Sequence, residues 1–537
     1  MKMVYLFKKY IFLIALTVIF CSHTVLASTN SGNNEALGRK LAKHVIKGNK
    51  HWSTTDHSKV EALNQNFTSG EEITKACLSC HVEAANQIHQ TIHWTWLASG
   101  DKSDMRYGKA GYTANNFCIS ANAMEDKFCL KCHPGWNLKG TEGQVNCLRC
   151  HNSSGFNFNK AFSDIKGRKY VDQTKKQLQE QVKKAVADIT RPERKNCGQC
   201  HFNGGGGDGV KHGDLDTSLL KPNHKLDVHM DIDGNNFPCT RCHTTKNHNI
   251  DGRVYTNPAV EDKKTLLDDD KASKIACESC HGRYPHKTNS KMNDHTSKIA
   301  CQTCHIPEFA RENPTKMWWD WSKAGKLKNG KRFQEDGPYG KHVYRTIKGE
   351  FRWEKNVIPE YRWYNGSVKS TLVNEVIDPT QIVKISYPMG DVNDPDARIT
   401  PFKVHRGKQP YDKVHKTLLA PLVTGEHGFW VTLDMDRALL HGSKTLDLPF
   451  SGEYGYVETS YVIPITHMVA PKENALKCIQ CHVREKSRLA NITGLYLPGR
   501  DRLKLIDTLG WAAVFAAFAG VLLHGLGRII MRKNKED

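Results

Sequence analysis

Long apolar runs close both ends of this chain, and the residues between them are largely polar. The N-terminal run YIFLIALTVIF follows Lys2, Lys8 and Lys9 and leads to Val-Leu-Ala at Ala27. A basic start, a short apolar stretch and small residues at its end predict a cleaved secretory leader over 1–27. The C-terminal run TLGWAAVFAAFAGVLLHGLG, from Thr508 to Gly527, contains no Asp, Glu, Lys or Arg. That length predicts a helix able to span a bilayer, with an anchor over 505–531. Arg528, Arg532, Lys533 and Lys535 follow it, which by the positive-inside rule puts the tail in the cytoplasm and the bulk of the chain on the periplasmic side of a bacterial inner membrane. In the interior, KKQLQEQVKKAVADI places Leu178, Val182, Val186 and Ile189 at helical spacing, so a surface helix is expected there, stopped by Pro192. In KGEFRWEKNVIPEYRWYNG, aromatic and turn residues alternate and predict β-hairpins.

Cysteine usage changes this picture. Cys-x-x-Cys-His occurs eight times: at Cys77, Cys80 and His81; Cys129, Cys132 and His133; Cys147, Cys150 and His151; Cys197, Cys200 and His201; Cys239, Cys242 and His243; Cys277, Cys280 and His281; Cys301, Cys304 and His305; and Cys478, Cys481 and His482. In this pattern two thioethers attach a c-type haem and the histidine ligates its iron. Zinc also binds Cys-x-x-Cys pairs, but it needs no histidine directly after every pair. Sixteen of the 18 cysteines are thus assigned to eight covalent haems. Cys21 leaves with the leader, and Cys118 has no disulfide partner.

Only 39% of the 537 residues are hydrophobic, and seven motifs crowd the span from Cys77 to His305. No stretch there is long enough for an independent core, so the haems are expected to be the core. The fold class expected is a mainly α and irregular multihaem cytochrome c built on eight stacked haems, with a partly β insert and one C-terminal transmembrane helix. The divisions are the leader 1–27, a seven-haem region 28–305, a haem-free insert 306–477, an eighth-haem segment 478–500 and the anchor 505–531. The insert is either a cap on the haem core or a docking surface.

The formal charge of +21 resembles that of a nucleic-acid or membrane-surface protein. An exported chain meets no genomic DNA, and each oxidised haem brings roughly one net negative charge. What remains favours small anions or is a solvated lysine surface. The loop FNGGGGDGVKHGD, Phe202 to Asp214, lacks the Gly-Lys-Ser/Thr of a phosphate cradle. Its glycines instead suit close backbone approach to a haem or a narrow site.

Of 27 histidines, eight complete the motifs. Distal ligands are expected from His57, His93, His229, His248, His286, His295 and His467, with His224 and His212 the nearest substitutes. His524, the single histidine of the anchor, ligates a b-type haem or faces a partner subunit, although one histidine cannot supply both axial ligands. An enzyme additionally needs one haem whose sixth position opens to substrate.

The motif count, NNFC before the second motif, HWTW at His93 to Trp96, DGVKHGDLD at Asp208 to Asp216 and THMVAPKENALKCIQCH at the eighth motif together resemble the octahaem tetrathionate reductase family of periplasmic cytochromes. The similarity covers roughly residues 50 to 490. The C-terminal anchor departs from its soluble members and bears on the electron donor. The resemblance implies that the second haem is the active site, that Lys211 is its sixth ligand, and that Cys118 and Asp208 line the pocket. It implies a reductase of small sulfur or nitrogen compounds such as tetrathionate, nitrite or hydroxylamine, fed by a membrane quinol-linked or b-type cytochrome donor. The alternative is a cytochrome that only carries electrons between such a donor and a periplasmic acceptor.

Overall fold

The structure, a computed structural model, describes residues 55–97, 107–121, 129–137, 144–167, 171–252 and 275–533. The expected leader, with Cys21, lies outside the described residues. Residues 276–294 form a compact unit of their own, and the other described residues form a second.

In the larger unit the first helix, α1 (Gly70–Leu78), begins at Ser69, whose hydroxyl accepts from Glu72 N at 3.3 Å, while Glu72 reaches back to Thr68 N at 2.6 Å. This reciprocal cap satisfies donors that the first helical turn leaves unpaired. Helices α2 (Phe158–Lys166) and α3 (Asp172–Ala187) follow, then α4 (Arg194–His201), which carries the fourth motif. The helix expected around Leu178 to Ile189 is α3, and Val182 and Val186 are fully buried. It ends earlier than Pro192. Asp188 leaves the helical conformation, and Ile189 bridges Asn152 while Thr190 N donates to His151 O at 2.8 Å. The chain is drawn off to the third motif before the proline acts.

Phe67, Ile73, Trp136, Phe162, Val182 and Val186 pack into one apolar cluster within the haem-motif region. This cluster adds apolar packing to the haem-built core expected there. No single stretch supplies the cluster; segments far apart in sequence do. Phe67 has no exposed surface. Phe67→Ala is expected to cost about 3–5 kcal/mol, read as a lower denaturant midpoint of the haem-loaded protein.

Beyond His305 the chain builds an eight-stranded sheet. Its strands are β1 (Thr315–Asp320), β2 (Gln334–Asp336), β3 (His342–Arg345), β4 (Gly349–Glu354), β5 (Glu360–Tyr364), β6 (Val383–Lys384), β7 (Arg398–Asp412) and β8 (Tyr454–Pro464). The spatial order is β2-β3-β4-β1-β7-β8-β6, and β5 pairs with β7. Of the β-hairpins expected here, β3 and β4 form one, paired antiparallel, whereas β4 and β5 do not pair with each other. Between them Val357 exchanges hydrogen bonds with Phe309 at 2.9 and 3.0 Å, and Asn356 N donates to Ala310 O at 3.0 Å. That detour carries β5 away to the far end of β7. Strand β7 is central and buried on both faces for most of its length, including Lys403 and His405, which expose nothing. A sheet helix, α5 (Met435–Leu446), starts at Asp434, which accepts from Arg437 N at 3.0 Å.

The last described element is α6 (Lys504–Lys533), of which Lys504–Met531 is long and apolar enough to cross a membrane, with none of that span buried.

Candidate functional site

Each motif is wound as a helical turn. The histidine N–H donates to the carbonyl of the first cysteine at 3.0 Å for His81 and His151, 2.9 Å for His133 and 2.8 Å for His482. One turn of helix puts residues four apart on the same side, so both sulfurs and the imidazole can address one ring. Among the described residues, five motif histidines are seen facing a second histidine. His81 faces His57 with ring centres 6.3 Å apart, His201 faces His93 at 6.3 Å, His151 faces His248 at 6.4 Å, His243 faces His467 at 6.2 Å and His482 faces His295 at 6.1 Å. Metal–imidazole bonds of about 2 Å, with about 1.1 Å from nitrogen to ring centre, put two axial imidazoles roughly 6.2 Å apart. These five spacings fit iron held between two imidazoles.

The remote ring nitrogens fit as well. Nδ1 donates to Thr190 O from His151 (3.2 Å), to Asp251 O from His243 (2.8 Å) and to Pro498 O from His482 (2.8 Å). His248 Nδ1 meets Gln87 Oε1 at 2.8 Å. Such bonds fix the tautomer that leaves Nε2 free for metal. Of the other expected distal ligands, His229 stacks on Phe237 and its backbone N donates to Asp227 Oδ1 at 2.8 Å. His286 belongs to the smaller unit, which also holds Cys277, Cys280 and His281, and its Nδ1 bonds Asn293 Oδ1 at 3.1 Å. His305 closes the short helix Cys301–His305, and its carbonyl accepts from Ala470 N at 2.8 Å. His224, the exposed substitute, pairs with Asp231 at 3.3 Å.

Attachment cysteines from different motifs meet. The Cys77 sulfur lies against that of Cys147, Cys132 against Cys200, and Cys197 against Cys239. The second motif is therefore next to the fourth, and the fourth next to the fifth.

The second motif has different surroundings. His133 is buried, with Nε2 3.1 Å from Trp94 O and the rings of Trp94 and Trp96 at 4.7 and 5.6 Å. Lys211 is the residue the structure brings to this motif. Burial holds its amine down to about 8, against the opposing fields of the Cys118 and Cys132 sulfurs. A lysine must lose its proton before it can bind metal, and burial moves it that way. Gly205 and Gly209 shape the turn before it. Both have positive φ, and a side chain on Gly205 would meet Phe117 Cβ at 3.0 Å, while one on Gly209 would meet Pro314 O at 2.7 Å. The close approach expected of this glycine loop is real, and it lets the loop pack against the residue preceding Cys118.

Cys118 is half-buried, and its carbonyl accepts from Lys109 Nζ at 3.1 Å. Burial brings Lys348 to about 8, with Arg345 adding to the shift and Cys118 opposing it. Asp208 is turned elsewhere. Its Oδ1 accepts from Thr217 N at 2.8 Å, and Oδ2 accepts from Thr217 Oγ1 at 2.6 Å and Asn313 Nδ2 at 3.3 Å. These bonds make it a brace of the loop that carries Lys211.

Several residues of this site were not singled out from sequence. Lys403 Nζ, on β7, donates to the carbonyls of Val210 (3.0 Å) and Lys211 (2.9 Å) and to Thr315 Oγ1 (2.5 Å). Asn116 is buried and donates to His405 Nδ1 at 3.2 Å and His405 O at 3.3 Å, while Thr459 Oγ1 donates to its Oδ1 at 2.8 Å. The sheet therefore holds both the Lys211 loop and the Cys118 segment. Lys316, buried, sets its amine 3.5 Å from the Phe351 ring centre and 3.9 Å from that of Trp319. Burial, with Lys348 and Lys403 nearby, holds that amine well below the usual lysine range. The one sequence signal was NNFC, where a buried polar Asn beside a lone Cys needs partners from elsewhere.

Paired imidazoles at iron spacing, on helical turns that also carry two cysteines, define a multihaem c-type cytochrome. The sequence matches the family described as Cytochrome c bacterial over residues 316–485, and the family Cytochrome c554 and c-prime over residues 146–221. An uncharacterized protein of Archaeoglobus fulgidus is 25% identical over 247 residues, which span 36% of this chain and 79% of that protein. The crystal structure of octaheme cytochrome c from Shewanella oneidensis matches at 37% identity with a TM-score of 0.68, covering 82% of this chain and 98% of that one. The chain belongs to the octahaem cytochromes c.

Proposed function

We propose that this protein is an octahaem reductase with eight covalent haems, anchored by α6 and facing the periplasm. It would pass electrons from a membrane quinol-linked or b-type cytochrome donor to small sulfur or nitrogen compounds such as tetrathionate, nitrite or hydroxylamine. The observation that carries this reading is Lys211, partly buried within the fields of Cys118 and Cys132 at the second motif, where five other described motif histidines face a second imidazole. Cys129, Cys132 and His133 would hold a haem there that would supply one-electron chemistry, with the Lys211 amine as a partner able to exchange for substrate.

Lys211, once displaced, takes up a proton at Nζ and stays as a cation beside an anionic substrate. Lys348 supplies a second amine on the Cys118 side. Cys118 Sγ lines the same pocket and contacts a sulfur substrate. Lys403 keeps the Lys211 backbone in place through both carbonyl bonds while the side chain moves. Proton delivery through Asp208 would require it to release Thr217, so its first role is to hold the loop. Reducing tetrathionate to two thiosulfates breaks one sulfur–sulfur bond with two electrons and no proton, whereas nitrite and hydroxylamine consume protons.

The test is to reduce the purified protein, add each acceptor separately, and measure reoxidation alongside product. Product formation supports the reductase. Fast reoxidation with no product from any acceptor would establish the electron-carrying alternative. Cys118→Ala is expected to lower turnover of a sulfur substrate about tenfold or more, with haem content unchanged. Equal turnover for sulfur and nitrogen substrates relative to the parent protein would remove Cys118 from the site.

A further inference from the structure

Asp214 lies three residues after Lys211 and exposes about 1% of its surface. Its Oδ2 accepts from Thr466 N at 2.8 Å, from His467 N at 3.0 Å and from His467 Nδ1 at 3.1 Å. His467 is the imidazole facing His243 of the fifth motif. At His151, His243, His248 and His482 the remote nitrogen meets a neutral carbonyl or amide oxygen, whereas at His467 it meets a carboxylate. A buried carboxylate makes the imidazole a stronger electron donor and stabilises the more highly charged metal, an effect that grows where water is excluded.

We propose that Asp214 is a positioning residue that fixes His467 as the axial ligand of the fifth-motif haem and sets that haem at a lower reduction potential than a neutral hydrogen-bond partner would give. Reduction there adds one electron to ferric iron, and His467 keeps its Nδ1 proton. The contacts of Cys239 with Cys197 and of Cys200 with Cys132 place this haem two steps from the second motif. A low-potential member at that point drives electrons toward the second motif. The same aspartate ties the Lys211 loop to His467 mechanically, so the exchanging ligand and the electron supply share one support. The inference rests on haem attachment and on the His243–His467 pair; its test does not require the reductase reading to hold.

Asp214→Asn keeps an acceptor oxygen and removes the charge. In a redox titration followed optically and by low-temperature electron paramagnetic resonance, one low-spin haem is expected to move to more positive potential with altered g-values, the others staying in place. Asp214→Glu is expected to return that haem toward the parent value. Unchanged potentials in a fully haem-loaded Asp214→Asn protein would overturn the proposal. If that variant fails to load haem, electron spin-echo modulation on the ferric parent protein reads hydrogen bonding at the remote imidazole nitrogens directly. One haem with a markedly stronger bond there supports the proposal, and eight alike overturn it. No product from any acceptor with the parent protein, alongside the expected shift in Asp214→Asn, would count against the proposed function alone.

Discussion

Lys211→Ala opens one haem to added ligands. The amine is tethered beside the second motif, so an external ligand competes with a donor held at an effective concentration in the millimolar range or above. Removing it is expected to raise the apparent affinity for azide at that haem by about tenfold or more. Azide is a suitable probe because it stays anionic across the neutral range. The electron paramagnetic resonance spectrum should lose one low-spin species and gain a water- or azide-ligated one, while the paired-histidine haems keep their signals. The parent protein should also show a pH dependence that the variant lacks. Burial holds the Lys211 amine at about 8 before any metal competes for it. Iron and proton compete for the same lone pair, so the effective value under ligation is lower still. Azide therefore binds the parent more tightly as pH falls through that range, because the protonated amine cannot return, and binds Lys211→Ala without that dependence. An unaltered spectrum in Lys211→Ala would remove Lys211 from the iron and favour the electron-carrying reading.

Truncation after Asp501 moves the protein entirely from the membrane to the soluble fraction. The cut falls between two differently built parts. Arg500 donates to the carbonyls of Leu489 (2.6 Å), Ile492 (2.7 Å) and Leu495 (2.9 Å), and Asp501 accepts from Leu497 N at 2.7 Å. Those bonds close the segment whose Pro498 carbonyl orients His482, so everything the eighth motif needs lies before the cut. What is removed is α6, whose apolar span has no buried residue to lose. The uncharged run Thr508–Gly527 within it is long enough to cross a bilayer. The soluble product should carry the full complement of haem, with an intact mass above that of the apoprotein from residue 28 by eight haems. Retention in membranes after salt and alkali washes would reject the anchor, and a smaller mass excess would reject at least one motif.

The Cys-x-x-Cys-His turns were legible from sequence because haem attachment is encoded within five consecutive residues, and a helical turn is all the local structure it needs. The helix at Leu178 to Ile189 and the C-terminal span were legible for a similar reason, since periodicity and uninterrupted length are local properties. Distal ligation is not local. His57 and His467 are equally plain histidines in sequence, and only the fold decides that one faces His81 and the other His243. Hairpin character was legible, but β4 pairs with β3 and not with β5, because pairing depends on where Val357 finds its hydrogen bonds. Lys403 and His405 lie in RITPFKVHRGKQPYD, which reads as a mixed polar strand; their complete burial follows from β7 having a strand on each side and packed residues on each face. Lys211 stood out by resemblance, whereas its lowered proton affinity comes from burial, which no spacing of residues records. Asp208 and Asp214 sit six residues apart in one loop and look interchangeable as carboxylates. The tertiary structure separates them, giving Thr217 to the first and His467 to the second. The sequence by itself determined what is covalent or periodic: the haem attachments and the apolar span at the end. Which imidazole, amine or carboxylate meets which motif was decided by chain crossings between residues from 24 apart, as with His57 and His81, to 253 apart, as with Asp214 and His467, where burial and hydrogen bonds assign the chemistry.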